Sequence, residues 1–173
     1  VSQFEYTTLF FFIKIYGFTK HSNIDVTQGR RIIQFDSTPN DEFYLAYCEG
    51  GAVKKEESLC FYKQGRIIFQ YPRFKEKLFG HWVPISIASY REKETPYKLN
   101  MIQVSVFYDN LFYMGNINDM DYIRINEFSV YNTWIGMLSE IRLFDKFLVN
   151  AWGIIKNEKG VDSGVNLVIL PKY

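Results

Sequence analysis

Cys48 and Cys60, the two cysteines of the chain, are the residues best equipped for covalent chemistry. Each lies in an apolar run, and the segment between them contains a glycine pair and a cluster of charges. If these runs are neighbouring strands joined by that segment, the two thiols come within reach of a disulfide bond. Buried free thiols are the alternative, because cysteine prefers protein cores. No histidine accompanies the thiols at metal-binding spacing, so a zinc site is not expected.

A second group of chemically capable residues lies between positions 116 and 121. Carboxylate and amide oxygens are the donors that calcium accepts in proteins. The spacing here matches no EF-hand loop, and Asn and Asp are also the ordinary residues of turns. A plain loop is therefore the alternative to a calcium site, and no other cofactor is predicted. The candidate ligands are Asn116, Asn118, Asp119 and Asp121.

The chain lacks the residue pattern of a hydrolase. Glycosidases place two carboxylates around the scissile bond, and no Glu-x-Asp-x-Glu run occurs. Glu140 precedes Arg142 by two positions on the same side of a strand, which predicts a surface ion pair. His21 and His81, the two histidines, lie in no recognisable arrangement with the cysteines. We therefore predict no catalytic residues and no enzymatic activity.

Charge and hydropathy exclude two further classes of protein. The 20 basic and 19 acidic residues are intermingled and leave a net charge of +1, whereas nucleic-acid binders carry a basic face. No apolar run approaches the ~20 residues that a membrane-spanning helix needs. The sequence therefore predicts neither a nucleic-acid partner nor a transmembrane segment.

Short apolar runs separated by Gly, Pro, Asn or charged clusters recur along the whole chain, a pattern typical of an all-β sandwich or barrel. Residues from Asp145 to Asn157 predict a short helix or an irregular packed segment, with Gly153 weakening the helix. The predicted strands are Thr8–Tyr16, Arg31–Asp36, Glu42–Cys48, Ser58–Lys63, Arg66–Tyr71, Trp82–Tyr90, Met101–Tyr108, Leu111–Met114, Asp121–Ile125, Met137–Phe144 and Val165–Leu170.

Three local features refine this pattern. The pair Asp109-Asn110 between two apolar runs predicts a two-residue hairpin. Pro84 cannot donate a ladder hydrogen bond, so we expect it at a sheet edge or a bulge. Trp82 and Trp134 are interpreted as core or near-core residues, because buried aromatic rings dominate such interiors. The alternative is a sugar-stacking platform, which needs an exposed ring on a concave face.

Four stretches, taken in order, resemble laminin G-like domains of the concanavalin A-like jelly-roll group. They are Phe10–Ile15, Gly80–Ile87, Val104–Phe112 and Gly136–Phe144. The last of these, with its acid-aliphatic-arginine-aliphatic-aromatic order, is similar to the closing strand of that family. The resemblance implies a two-sheet antiparallel jelly-roll sandwich.

The resemblance also sets the expected function. We expect residues 1–173 to form a single laminin G-like domain and, because the chain begins at Val1, to be a module of a longer polypeptide. Its expected role is non-catalytic: contact with a protein or glycan partner, with neighbouring modules or with copies of itself, as in cell adhesion or structural packing. The expected setting is an extracellular or cell-surface assembly. The rim loops Thr19–Gly29, Gly50–Glu57 and Arg91–Lys98 would supply recognition.

An accessory subunit of an intracellular complex is the alternative function. A disulfide between Cys48 and Cys60 favours the extracellular setting, because such bonds persist in oxidising compartments. Free thiols favour the intracellular one.

Overall fold

The structure is a computed structural model that describes residues 4–19, 29–39, 42–48, 57–92, 100–108, 111–118 and 125–158. Within these ranges the chain is mostly strand. In chain order the elements are β1 (Phe4–Phe18), β2 (Arg30–Asp36), β3 (Phe43–Cys48), β4 (Ser58–Lys63), β5 (Arg66–Tyr71), α1 (Phe74–Leu78), β6 (Val83–Glu92), β7 (Asn100–Tyr108), β8 (Leu111–Asn118), β9 (Ser129–Val130), β10 (Trp134–Phe144) and α2 (Ala151–Glu158).

The strands form two antiparallel sheets of five. The first has the order β10-β1-β6-β7-β8 and the second has the order β5-β4-β3-β2-β9. By backbone contacts the chain divides into two compact units, and the single domain expected from the sequence stays a prediction. Unit 1 comprises Val1–Ile13, Trp82–Tyr122 and Leu138–Tyr173, and unit 2 comprises Lys14–His81 and Ile123–Met137.

These elements confirm the predicted fold class: an all-β chain with two antiparallel sheets and one short helix near its C-terminal end. Strands β4 and β5 begin and end where the sequence predicted. Tyr108 pairs with Leu111, the register of a two-residue hairpin, although its turn residues Asp109 and Asn110 lie outside the described residues. The strand predicted at Val165–Leu170 also lies outside the described residues. Of the strand predicted at Asp121–Ile125 only Ile125 is described, and it is not in a strand.

Two elements were not predicted. Helix α1 begins after Arg73, which adopts a left-handed φ of 56°, and it buries Phe74 and Leu78. Strand β9 has only two residues and no apolar alternation, so no pattern marks it. Nearby backbone hydrogen bonds fix its position, because Asn126 and Glu127 both donate to the carbonyl of Phe35.

In unit 1, helix α2 packs on one face of the first sheet. The residues of β6 that share a row with Phe10 and Phe12 of β1 are small: Ser86 pairs with Phe10, and Pro84 pairs with Phe12. Small side chains on a central strand leave room for a bulky helical residue, and Trp152 occupies it. Its ring stacks on Phe10 at 6.0 Å and meets Phe12 edge-on at 5.1 Å. We call this set the α2 cluster: Phe10, Phe12, Phe107, Ala151, Trp152 and Ile155.

Helix α2 begins later than the segment predicted from Asp145. The buried hydroxyl of Thr8 donates to the carbonyl of Lys146 at 2.6 Å and accepts from the amide of Leu148 at 3.0 Å. Farther along, the Gln103 amide donates to the carbonyl of Val149. These bonds hold the chain across the sheet in a non-helical path, and the helix starts at Ala151, where the Asn150 side chain accepts from the amide of Gly153 at 3.0 Å.

The predicted edge position of Pro84 is wrong, because β6 lies between β1 and β7 in the interior of its sheet. The structure satisfies the proline differently. Pairing of β6 with β7 begins one residue later, at Ile85 opposite Val106. Pro84 therefore precedes the ladder to β7, where no backbone donor is needed.

In unit 2, one face of the second sheet is built from phenylalanine rings. Phe43 lies 5.3 Å from Phe35 and 6.0 Å from Phe61, and Phe61 lies 5.9 Å from Phe69. These spacings fall in the range of favourable aromatic pairs. By alternation, the intervening residues of β3 and β4 lie on the other face, and they include tyrosines and cysteines.

Candidate functional site

Cys48 and Cys60 lie on neighbouring antiparallel strands, as the sequence suggested. Cys60 of β4 pairs with Ala46, and Cys48 of β3 pairs with Ser58, so the two cysteines are diagonal neighbours. Both are buried free thiols. They belong to one buried group, which we call the thiol–tyrosine cluster: Tyr44, Ala46, Cys48, Cys60 and Tyr62.

The two tyrosines orient this cluster. Tyr44 and Tyr62 stack almost parallel, with ring centroids 5.0 Å apart. The Tyr62 hydroxyl hydrogen-bonds the Cys48 Sγ at 3.0 Å. Gly29 lies beside that hydroxyl with a φ of +68°, a backbone conformation that residues with a side chain rarely adopt, and an added Cβ would lie 3.2 Å from the Cβ of Ala46. A larger residue at position 29 would therefore be strained and tightly packed against the cluster.

A charged pair lies against the outer ring of the stack. The Arg31 guanidinium is 4.1 Å from the centroid of the Tyr44 ring, and it also forms an ion pair with Glu42. Arg31 further donates to the Gln34 side chain at 3.2 Å, which in turn accepts from the Tyr131 hydroxyl. The thiols thus stand at one end of a continuous row of contacts, and a cation stands at the other.

The electrostatics distinguish the two thiols. A hydrogen bond from Cys60 lowers the pKa of Cys48; burial opposes this, and a hydrogen bond from Tyr62 adds to it. The hydrogen bond to Cys48, together with burial, raises the pKa of Cys60. Two donors therefore converge on one sulfur atom, which is the arrangement that stabilises a thiolate.

The tyrosines respond to the same surroundings. Burial raises the pKa of Tyr44 to about 12, although the positive charge of Arg31 acts in the opposite direction. Burial also raises the pKa of Tyr62, and the hydrogen bond to Cys48 adds to the rise. Both phenols are therefore neutral at physiological pH, and Cys48 ionises most readily among these two tyrosines and two cysteines.

The candidate calcium ligands do not form one loop. Asn116 and Asn118 are residues of β8, paired with Gln103 and Met101 of β7. Asp119 and Asp121 lie outside the described residues, so the calcium site stays a prediction. Among the residues that the structure describes, no three His, Cys, Asp or Glu side chains are grouped as metal ligands.

The other residues singled out from the sequence are dispersed over the molecule. The predicted ion pair is present, with Arg142 Nη2 and Glu140 Oε2 3.5 Å apart. Trp82 is half-buried against the α2 cluster, and Trp134 is half-buried at the start of β10. His81 is exposed. His21 and most residues of the three rim loops lie outside the described ranges.

The first sheet ends at β10, which has β1 as its neighbour among the described strands. This strand exposes apolar side chains: Ile141 is 51% and Leu143 is 66% exposed. Just before them, Glu140 has a φ of 54°, which breaks the regular extended backbone. At the start of the strand, a side chain at Gly136 would collide with the carbonyl of Lys14, so glycine permits the close approach of β1.

Neither helix in the described part of the chain has the length and apolar character needed to span a membrane.

No protein-family model matches the chain, and no curated protein or solved structure matches it. The resemblance to laminin G-like domains therefore stays a prediction.

The sequence identified the thiols, whereas their tyrosine partners were missed. The signal was present, because period-two alternation in Phe43–Cys48 and Ser58–Lys63 places Tyr44 beside Cys48 and Tyr62 beside Cys60 on one face. The exposure of Ile141 and Leu143 had no such signal, since alternating apolar residues normally indicate a buried face.

Proposed function

We propose that this chain is a non-catalytic structural module that contacts a second copy of itself through β10. One observation carries the proposal: an edge strand leaves exposed two large apolar side chains, Ile141 and Leu143. Edge strands are places where natural proteins either protect themselves or bind partners. Because the exposed surface of β10 consists of aliphatic side chains, it suits a protein partner better than a glycan.

The exposed residues continue a face that is buried elsewhere. Phe144 packs against the α2 cluster, which includes Phe10 and Phe12 of β1. By alternation, Leu143 and Ile141 belong to the opposite face of the sheet. On β1 that face carries Leu9, Phe11 and Ile13, all of them buried. An apolar face that is buried on one strand and open on the next is suited to being covered by another protein surface.

Side-chain packing supports the contact better than strand addition does. The left-handed backbone at Glu140 interrupts the edge of β10, and such irregularities hinder the pairing of backbone groups between two chains. Burying Ile141 and Leu143 would contribute about 1.5–3 kcal/mol for each side chain relative to exposure. Stabilisation of this size is small for a lasting dimer, so the contact would be reinforced by further contacts in a larger assembly.

The apolar pair itself favours a second copy as the partner. An aliphatic patch is complementary to the same patch on another copy, and Ile141 and Leu143 are both exposed on one face. A two-fold axis near Ile141 would cover the patches of both copies at once. Such self-complementarity is the property that isologous dimers require.

Sedimentation velocity over a range of protein concentrations tests the proposal. We expect concentration-dependent dimerisation that Leu143→Glu weakens at least tenfold. Ile67→Glu is the matched control, because Ile67 is 49% exposed on β5 at the edge of the other sheet. A monomer at every concentration, or an equal effect of both substitutions, contradicts the proposal.

The free thiols favour the alternative setting, an accessory subunit of an intracellular complex. Cys48 and Cys60 both occur as buried thiols, the state that reducing compartments maintain. Alkylation of the native protein in its source cells under non-reducing conditions, followed by peptide mapping, distinguishes the two settings. Alkylated cysteines support the intracellular subunit, and a pair that is linked in all molecules supports the extracellular module, since a reversible switch would be linked in only a fraction of them.

A further inference from the structure

The thiol–tyrosine cluster contains a nucleophile and a second thiol in contact with it. Cys48 and Cys60 point to the same face of the second sheet from adjacent strands, and the side chains of both are buried. Self-contact through β10 uses neither residue. The chemistry of the two thiols is therefore independent of the proposed function.

The geometry makes the two thiols unequal. The Tyr62 hydroxyl lies 3.0 Å from the Cys48 Sγ, and a hydrogen bond from Cys60 lowers the pKa of Cys48. Both contacts stabilise negative charge on Cys48. Cys48 is also the last residue of β3 and is 8% exposed, whereas Cys60 lies inside β4 and is fully covered. A small oxidant therefore meets the more nucleophilic sulfur first.

We propose that Cys48 and Cys60 form a redox-active dithiol that a peroxide oxidises reversibly. The Cys48 thiolate attacks one peroxide oxygen, the O–O bond breaks, and hydroxide leaves as Cys48 becomes a sulfenic acid. The Cys60 sulfur then attacks the Cys48 sulfur, and the S–O bond breaks with loss of water. In sum, two thiols and one hydrogen peroxide give one disulfide and two waters, with two electrons passing from sulfur to oxygen.

The strand register makes the oxidised form easy to reduce. Diagonal neighbours on antiparallel strands have Cα atoms about 7–8 Å apart. A disulfide rarely spans more than about 7 Å without backbone movement. Closing the disulfide must therefore shift β3 relative to β4. It also breaks the hydrogen bond between the Tyr62 hydroxyl and the Cys48 thiol. Strained disulfides are the labile, regulatory ones, so the bond serves as a switch and not as a permanent crosslink.

Peptide mapping of the peroxide-treated protein tests this assignment. The fully reduced chain is exposed to hydrogen peroxide, remaining thiols are alkylated, and the digest is analysed without reductant. We expect a peptide containing Cys48 linked to one containing Cys60, which dithiothreitol separates. Absence of the linked pair in folded, peroxide-treated protein overturns the proposal.

Single substitutions test the order of the two steps. In Cys60→Ser the sulfenic acid should persist at Cys48 and react with dimedone, whereas Cys48→Ser should label at Cys60 at least tenfold more slowly. Adding Tyr62→Phe to Cys60→Ser should slow dimedone labelling severalfold, because the ring and its stacking remain while the donor is lost. Equal labelling of the two single variants, with circular dichroism unchanged, contradicts the assigned roles.

Discussion

The α2 cluster and the thiol–tyrosine cluster are both buried faces of a five-stranded sheet, yet they are made of different chemistry. The first joins phenylalanine and tryptophan rings with aliphatic side chains, and Trp152 meets Phe10 and Phe12 through ring faces and edges. The second places hydroxyls and thiols at the same depth, where Tyr62 and Cys48 hydrogen-bond each other. Burial of apolar surface stabilises the first cluster. The second cluster buries less apolar surface and instead contains hydroxyl and thiol groups that can react.

The largest expected effect lies in the α2 cluster. Trp152→Ala should lower the free energy of unfolding by about 3–5 kcal/mol, because it removes a large buried ring and leaves a cavity between β1 and α2. Urea denaturation measures the change. Ile154→Ala, at a 41% exposed position of the same helix, is the control and should cost less than about 0.5 kcal/mol. Similar costs for both variants would show that Trp152 is not a core residue.

A smaller effect is expected in the thiol–tyrosine cluster. Tyr62→Phe retains the stacked ring and removes one hydroxyl, so the free energy of unfolding should fall by about 0.5–1.5 kcal/mol. The same substitution should raise the pKa of Cys48, since one of its two donors is lost. Iodoacetamide alkylation of Cys48 in Cys60→Ser, followed against pH, reads out this change. An unchanged pH profile would show that the Tyr62 hydroxyl does not influence the pKa of Cys48.

The smallest effect concerns alkaline pH. In the folded chain the pKa of Tyr44 is raised to about 12 from 10.0, so burial favours the neutral phenol. That contribution to stability is complete below pH 10 and is lost as pH rises toward about 12. Arg31, Glu42 and Cys48 also act on this phenol, and Arg31 opposes the rise.

Tyr44→Phe removes this ionisable group. The loss of unfolding free energy between about pH 9 and about pH 11 should therefore be smaller in Tyr44→Phe than in the unsubstituted chain. Urea denaturation at the two pH values measures it. A larger alkaline loss in the variant would show that the phenol is ionised in the fold.

The parts of the fold that followed from sequence are those in which one local pattern decides the outcome. In β4 and β5, Gln64-Gly65 supplies a turn, and both residues have positive φ, so the two strands end where the sequence predicted. The segment before α2 is held by Thr8, which is 138 residues from its partner Lys146. Strand β9 depends likewise on the carbonyl of Phe35. Such long-range bonds leave no periodic trace in the sequence.

The candidate sites follow the same rule. Cys48 and Cys60 lie on neighbouring strands, because one short connection links their two runs, and the disulfide between them stays a prediction. The calcium candidates have the composition of a single loop, whereas β8 extends through Asn118 and takes Asn116 and Asn118 into the sheet. Exposure of Leu143 depends on which strands end the sheet, and the residue pattern of β10 does not encode that.

Hydrogen–deuterium exchange at low and high protein concentration tests the proposed contact most directly. We predict that peptides covering 138–144 exchange more slowly as concentration rises, while peptides covering 66–71 of β5 exchange at a constant rate. Concentration-independent exchange along β10, or equal protection of both edge strands, would contradict a contact through Ile141 and Leu143.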